Sequence, residues 1–158
     1  MIVLEGQSAL SPFRRERLEA RLRQIHPALR IADTRFTYWV EPEPGAQPDI
    51  DALSRILQAG TAVEAAAEGA VSRFVVPRLG TISPWASKAT ELLHGAGLPV
   101  RRVERGTRVD LLGWPGTQVT TATTDTLAHL LHDPMTQSLL DSREAAAALF
   151  QTPRPGAL

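Results

Sequence analysis

The chain has 158 residues, of which 43% are hydrophobic and 22% charged, and its 17 basic and 17 acidic residues give a formal net charge of zero. This balance excludes the basic surface typical of nucleic-acid-binding proteins, and the absence of cysteine excludes disulfides, thiolate metal sites and cysteine nucleophiles. No apolar run approaches the roughly 20 residues of a membrane-spanning helix, and the start lacks a secretory signal, so we predict a cytoplasmic protein without membrane or nucleic-acid partners.

The first part of the chain is predicted to form a strand, a helix, a second strand and a second helix. The apolar run Ile2–Leu4 favours a strand, and Ser11 followed by Pro12 is typical of a helix cap and first helical residue. The stretch Ile31–Val40 carries the β-branched and aromatic residues that suit a strand. Asp51–Leu57 is predicted to be a short helix.

The same order of elements recurs about 72 residues later, the spacing between Ser11 and Ser83. Internal repeats of this kind indicate duplicated supersecondary units. We therefore predict an α+β fold in which two strand–helix–strand–helix units, residues 1–60 and 71–140, form an antiparallel sheet with helices on one face. The matched segments are Ile2–Leu4 with Phe74–Val76, Leu10–Phe13 with Ile82–Trp85, Arg30–Val40 with Arg102–Leu112, and, at a spacing of 74, Asp51–Leu57 with Asp125–Leu131.

The helix after Ser83 is predicted to bury an apolar stripe at helical spacing. The remaining segments are assigned from composition. Thr61–Gly69 suits a helix or an ordered connector, Met135–Leu140 a strand, and Ser142–Phe150 a last helix. We expect one domain over residues 1–150, with residues 151–158 starting a linker, an ending that favours a fragment of a longer protein. The predicted stripe is Trp85, Ala89, Leu92, Leu93 and Ala96.

Residues 77–90, PRLGTISPWASKAT, contain more polar residues than a cap and a helix start require. A glycine-containing loop that enters a helix presents free backbone N–H groups and the positive end of the helix dipole. With Arg78 and Lys88 nearby, this segment suits a phosphate or a partner's carboxylate. On physical grounds alone we favour helix capping and packing as the explanation of this segment, and anion binding is the alternative.

Other groups of polar residues have simpler explanations. His129 and His132 lie three apart, with Asp133 as the nearest further ligand, and we favour a surface pair and predict no metal site. Asp49 and Asp51 are predicted to cap a helix. No catalytic residue is predicted.

Residues 77–90 are similar to the pattern Pro-Arg-x-Gly-Thr-Ile-Ser-Pro-Trp-Ser-Ser-Lys-Ala-Thr of the N-terminal domain of large, single-chain phosphoribosylformylglycinamidine synthases. Arg102, Glu104–Gly106 and Leu131–Gln137 resemble later segments of the same domain, and the likeness extends over essentially the whole chain. The sequence departs from the pattern at Ala86, at Pro134, where the family has arginine, and at Gln137, where it has an acid.

This resemblance implies a PurS-like domain, equivalent to a fused pair of small PurS scaffold subunits. It also implies a place in the enzyme that converts formylglycinamide ribonucleotide (FGAR), ATP and glutamine into the amidine (FGAM). ATP and magnesium would bind elsewhere in that enzyme, and this chain would contribute no catalysis and hold no cofactor. Its implied role is to dock the synthetase and glutaminase domains of the same polypeptide and to help frame the ammonia route. The candidate docking or anion-binding residues are Arg78, Gly80, Thr81, Ser83, Trp85, Ser87, Lys88 and Arg105.

Two alternatives remain open from sequence. The chain could be a freestanding module that binds a nucleotide or a phosphosugar, supported by the Gly80-Thr81 loop. It could also be a hydrolase that uses Ser83 or Ser87, although no nucleophile-elbow motif is present.

Overall fold

The computed structural model describes residues 1–116 and 119–150, so the predicted linker at 151–158 lies outside the described residues. Strands and helices alternate through both halves of the chain, which confirms the predicted α+β class. No helix in the described part is both long and apolar enough to cross a membrane. In chain order the elements are β1 (Ile2–Glu5), α1 (Pro12–Ile25), β2 (Arg30–Pro42), α2 (Ile50–Leu57), β3 (Val71–Pro77), α3 (Pro84–Gly95), β4 (Val100–Leu112), α4 (Thr121–Leu131), β5 (Gln137–Leu140) and a C-terminal 3-10 helix (Glu144–Phe150).

Over the described residues, the strands form one antiparallel sheet in the order β1-β2-β4-β3-β5. The two 13-residue strands β2 and β4 pair along most of their length, with Thr37 opposite Gly106. The first strand of each unit lies outside its own long strand. Two strand–helix–strand–helix units therefore meet at the centre of one sheet.

Both predicted serine caps are present. The Ser11 hydroxyl accepts the Arg14 N–H at 3.2 Å, and Pro12 is the first residue of α1. The Ser83 hydroxyl accepts the Ala86 N–H at 3.0 Å, and Pro84 begins α3. In each case the side-chain oxygen satisfies an N–H that has no partner within its own helix.

The main core lies between the sheet and the four α-helices seen in the described segments, all of which pack on the same face. The pair α2 and α3 covers one half of this face, where Leu53 and Leu93 pack against Tyr38. The pair α1 and α4 covers the other half, where Leu22 and Leu127 are fully buried. This arrangement confirms the prediction of α-helices on one face of the sheet.

The predicted apolar stripe of α3 is partly wrong. Ala86, Ala89 and Leu93 are buried and follow helical spacing, but Leu92 is 66% exposed and Ala96 is also exposed. Because successive helix residues are about a third of a turn apart, Leu93 and Leu92 cannot both face the sheet. Ile25, at the end of α1, is similarly 40% exposed.

The opposite face of the sheet carries a second, smaller core. Trp39 and Phe74 lie there with ring centroids 6.0 Å apart, and the Trp39 indole N–H donates to the Arg143 carbonyl at 3.1 Å. Ala146 and Leu149 of the 3-10 helix cover these rings. The predicted last helix is therefore a 3-10 helix on the face away from the α-helices, and Thr61–Gly69 is an irregular connector.

The strand pairing corrects the predicted repeat alignment. Tyr38 faces the α-helices, and its partner on β4 is Arg105. A spacing of 72 would instead equate Tyr38 with Asp110, which lies on the opposite face beside Ser72. Because side chains alternate between faces along a strand, this part of β2 is equivalent to β4 only at an odd spacing. Beyond the bulge near the start of β2, the predicted strand alignment is therefore out of step by one residue.

Gly106, at the centre of β4, is predicted to tolerate no side chain. A Cβ at this position would lie 2.8 Å from both the Val75 carbonyl oxygen and Val76 Cγ1. We expect Gly106→Ala to lower the free energy of unfolding by about 1–3 kcal/mol in urea denaturation. Gly95→Ala is the matched control, because nothing lies within 4 Å of a Cβ there, and it should be neutral or slightly stabilising. Equal effects of the two substitutions would contradict this assignment.

Candidate docking loop and aromatic pocket

The loop between β3 and α3, residues 78–83, is an ordered turn; we call it the docking loop. The Arg78 N–H donates to the Thr136 carbonyl at 3.1 Å, and the Arg78 carbonyl accepts from the N–H and the hydroxyl of Thr81 at 3.1 and 2.6 Å. Gly80 adopts φ +87°, a left-handed conformation that glycine takes without strain. The Gly80-Thr81 pair thus closes the loop's own turn.

A buried carboxylate on β4 holds the docking loop against the sheet through hydrogen bonds. Glu104 is fully buried, and its Oε1 accepts from the Ser83 hydroxyl at 2.8 Å and from the Arg105 N–H at 3.0 Å. Its Oε2 accepts from Arg102 Nη2 at 3.3 Å, and the same Nη2 donates to the Thr81 carbonyl at 3.1 Å. The serine that caps α3 is thereby tied to the sheet.

Arg102 also connects the docking loop to the end of the domain. Its Nη1 donates to the Leu149 carbonyl at 2.5 Å, and its guanidinium lies 5.1 Å from the centre of the Phe150 ring. Glu104 and Arg102 belong to the resembling segments, but they were not predicted as site residues. Apart from that resemblance, the sequence marked them only as two of several charged residues in β4 and did not show which of those charges are buried.

Three of the predicted polar residues project from this framework into solvent. Arg78, Ser87 and Lys88 are exposed, and neither cation forms an ion pair with any residue that the structure describes. The exposed apolar side chains Ile82 and Leu92 lie in the same loop and helix. The docking loop and α3 therefore carry exposed cations together with exposed apolar side chains, which also include Leu79.

Two further predicted residues, Trp85 and Arg105, meet in a pocket on the helix face of the sheet. The Arg105 guanidinium lies 4.8 Å from the centre of the Trp85 ring and 4.4 Å from that of Phe36. Tyr38 lies opposite Arg105 on β2, with its ring 5.8 Å from Trp85. The cavity measures about 250 Å³ and is also lined by Gln7, Ile56, Leu57, Gln58, Ala89 and Leu92.

Burial in this pocket raises the pKa of the Tyr38 phenol above its ordinary value, because the phenolate would lose its hydration. The neighbouring Arg105 cation acts in the opposite sense and offsets part of that rise. The sequence had indicated Phe36 and Tyr38 only as residues of a strand with both faces partly covered. Their place in a pocket depends on the pairing of β2 with β4, which sequence did not supply.

The remaining polar groups have local explanations. The Asp49 carboxylate accepts the Asp51 N–H at 3.0 Å at the start of α2, which confirms the predicted cap. The His129 and His132 ring centroids are 6.3 Å apart, and His132 Nδ1 lies 2.6 Å from the Ala128 carbonyl oxygen. Within the described segments, no group of three or more His, Cys, Asp or Glu side chains is placed to hold a metal ion.

Residues 35–150 match the family model described as formylglycinamide ribonucleotide amidotransferase N-terminal. The match covers well over half of the chain and includes the docking loop, Glu104, the 3-10 helix and every lining residue of the pocket around Arg105, here called the Arg105 pocket, except Gln7. The chain belongs to this family. Its members are N-terminal domains of FGAR amidotransferase, the FGAM synthase of purine biosynthesis, and the predicted family is thereby confirmed.

The geometry of this FGAR amidotransferase N-terminal domain accounts for Ser83 without catalysis. The partners of its hydroxyl are the Ala86 N–H and the Glu104 carboxylate, a helix cap joined to a buried acid. A serine nucleophile requires an adjacent general base that accepts its proton, most often histidine. Ser87 is exposed on α3, where its backbone N–H donates to the Ser83 carbonyl.

Proposed function

We propose that this domain is an assembly element of FGAM synthase, docking the synthetase and glutaminase domains of the same polypeptide and helping to frame the ammonia route between them. The enzyme's reaction joins glutamine-derived ammonia to FGAR at the expense of ATP. In this proposal ATP and magnesium bind in the other domains, the enzyme works in the cytoplasm, and this domain performs no chemical step. The observation that carries the proposal is the docking loop together with the start of α3, a hydrogen-bonded turn and helix that present the exposed cations Arg78 and Lys88.

Rigid presentation favours binding because little conformational freedom is lost when a partner engages the loop. The buried Glu104 carboxylate, with its bonds to Ser83 and Arg102, supplies that rigidity. Arg78 and Lys88 supply charge-assisted hydrogen-bond donors for carboxylates or backbone carbonyls of a partner.

The composition of the surrounding surface supports the same proposal. Ile82 is 63% exposed and Leu92 66% exposed, close in sequence to the exposed cations. Stable protein interfaces combine an apolar centre with a polar rim. Large exposed apolar side chains and exposed charges in the same loop and helix fit that anatomy.

Reconstitution from two chains tests the docking proposal. The catalytic portion of the enzyme, supplied separately, should regain glutamine-dependent FGAM formation when this domain is added. We expect Arg78→Ala with Lys88→Ala to raise the domain concentration needed for half-maximal activity on the order of 10–100-fold, since two lost hydrogen bonds with a net value of about 0.5–1.5 kcal/mol each amount to about 1–3 kcal/mol.

The matched control is Arg21→Ala, which removes an exposed cation from α1 and should leave the titration unchanged. Activity with free ammonium as nitrogen source should change less than activity with glutamine, because docking acts on coupling. Identical titrations for the wild-type and doubly substituted domains would refute docking through Arg78 and Lys88.

A further inference from the structure

The Arg105 pocket holds a positive charge without a negative partner among the described residues that line it. The ionisable side chains among its described lining residues are Arg105 and Tyr38. Arg105 forms no ion pair with any residue in the described parts of the chain. The adjacent carboxylate, that of Glu104, belongs to the other face of the strand, where Ser83 and Arg102 engage it.

Aromatic rings lie against the guanidinium of Arg105, and the Tyr38 hydroxyl, whose pKa Arg105 lowers through its charge and a hydrogen bond, takes up part of the edge of that group. Phe36 and Trp85 lie within 5 Å of the guanidinium, at 4.4 and 4.8 Å, and stabilise the cation through their π faces. The hydrogen-bond donors of arginine project in the plane of the group, towards acceptors at its edge. A cation held in this way is preorganised for a planar, two-oxygen acceptor.

We propose that the Arg105 pocket binds a carboxylate carried on a short apolar stem. Arg105 would receive the two carboxylate oxygens, and the amides of Gln7 and Gln58 offer further donors at the wall. Ile56, Leu57 and Leu92 line the pocket with apolar surface that suits the stem. The volume of about 250 Å³ lies below the roughly 300–1,000 Å³ of pockets for drug-sized ligands, so the pocket favours a group of a few heavy atoms over a nucleotide.

Such a carboxylate has two sources with the same chemistry, a free short-chain acid and an acidic side chain of another polypeptide segment. The proposal concerns the pocket of this chain and is independent of docking through Arg78 and Lys88. The test therefore uses this chain by itself, with butyrate as the free acid and a blocked peptide, acetyl-Leu-Glu-Leu-amide, as the side chain.

Tyr38 is a built-in reporter, because it is the single tyrosine of the chain. A carboxylate beside Arg105 offsets the cation that lowers the Tyr38 pKa, so binding should raise that pKa further. We expect butyrate or the peptide to raise the Tyr38 pKa saturably, read from phenolate absorbance, with a Kd on the order of 1 mM by calorimetry at neutral pH. Chloride at matched ionic strength should have no saturable effect.

Substitutions of Arg105 separate its charge from its shape. Arg105→Met should raise the unliganded Tyr38 pKa and weaken carboxylate binding at least tenfold, whereas Arg105→Lys keeps the charge and should bind with intermediate affinity. Each variant should keep the circular dichroism spectrum and the urea midpoint of the wild type, which shows that it is folded.

A rim substitution gives a second test that leaves Arg105 in place. Leu92 is exposed at the rim, so Leu92→Glu should place a carboxylate within reach of Arg105, raise the Tyr38 pKa without added ligand and block butyrate. Leu92→Gln, nearly equal in size but neutral, should do neither.

The two ligands distinguish the sources. Tighter binding of the peptide than of butyrate assigns the pocket to an acidic side chain, and tighter binding of butyrate assigns it to a free acid. If neither ligand gives a saturable change beyond that of chloride, and Leu92→Glu behaves as Leu92→Gln, the proposal is overturned.

Discussion

Replacing Arg108 with methionine is expected to lower the free energy of unfolding by about 3–5 kcal/mol, because it leaves the buried Asp110 carboxylate without its cation and Glu5 with only the longer contact to Arg143, at 3.4 Å. Arg108 is 2% exposed on the face of the sheet away from the α-helices. Its Nη1 contacts Glu5 Oε1 at 2.5 Å, its Nε contacts Asp110 Oδ1 at 2.8 Å, and its Nη1 also donates to the Glu64 carbonyl at 2.7 Å. Urea denaturation followed by circular dichroism measures the loss.

The buried cluster of Glu5, Arg108 and Asp110 joins segments that are distant in the chain. Glu5 also accepts from the Glu64 N–H at 3.0 Å and from the Thr37 hydroxyl at 3.3 Å. One carboxylate therefore fixes the edge strand β1 and the irregular connector that covers the sheet. Loss of the Arg108 cation should therefore weaken the packing of both β1 and this connector.

Arg35→Met is the control for the loss of an arginine. Arg35 pairs with Asp33 at 2.6 Å and with Glu64 at 2.9 Å, but its side chain is 30% exposed. Partly solvated ion pairs contribute about 0–1 kcal/mol, so this variant should stay close to wild type. If Arg108→Met were as mild as Arg35→Met, the buried cluster would have no special role in stability.

Replacing Glu104 with alanine should destabilise the domain by about 3–5 kcal/mol and release the docking loop. The Glu104 carboxylate holds the Ser83 hydroxyl, the Arg105 N–H and Arg102 Nη2, and its removal leaves these donors without their acceptor. Arg102 is 17% exposed, so water replaces the lost partner only in part. Urea denaturation should report the lower stability, and trypsin should cleave faster after Arg78.

Ser83→Ala separates the cap from the carboxylate. It removes the helix cap and one donor to Glu104 but keeps the pair of Glu104 and Arg102 intact. We expect a smaller loss, about 0.5–2 kcal/mol, and a smaller rise in cleavage after Arg78. Cleavage of Glu104→Ala at the wild-type rate under native conditions would show that the loop is ordered without this carboxylate.

Local sequence rules predicted the parts of the fold that depend on neighbouring residues. The Ser-Pro pairs at Ser11 and Ser83 marked two helix starts, because a cap uses a hydrogen bond across three residues. The order of strands and helices followed from the spacing of apolar residues. The side of α3 that faces the sheet did not follow, because Leu92 and Leu93 are equally apolar and only the packed sheet distinguishes them.

The parts that sequence could not supply depend on pairing between distant residues. Glu5 and Arg108 are 103 positions apart, and charged residues in a strand ordinarily face water. The Arg105 pocket likewise needs β2 and β4 to bring Tyr38 opposite Arg105. Sequence therefore indicated Ser83, Trp85 and Arg105 as candidate site residues, but it did not show which residues each of them contacts.

Arg102 makes the position of the 3-10 helix relevant to the docking loop. One of its terminal nitrogens holds the carbonyl of Leu149 and the other holds that of Thr81, on a single planar group. A displacement of residues 149–150 therefore redirects the hydrogen bond that positions residue 81. A shift of the 3-10 helix would therefore change the position of Thr81 in the docking loop, the surface that we propose binds a partner domain.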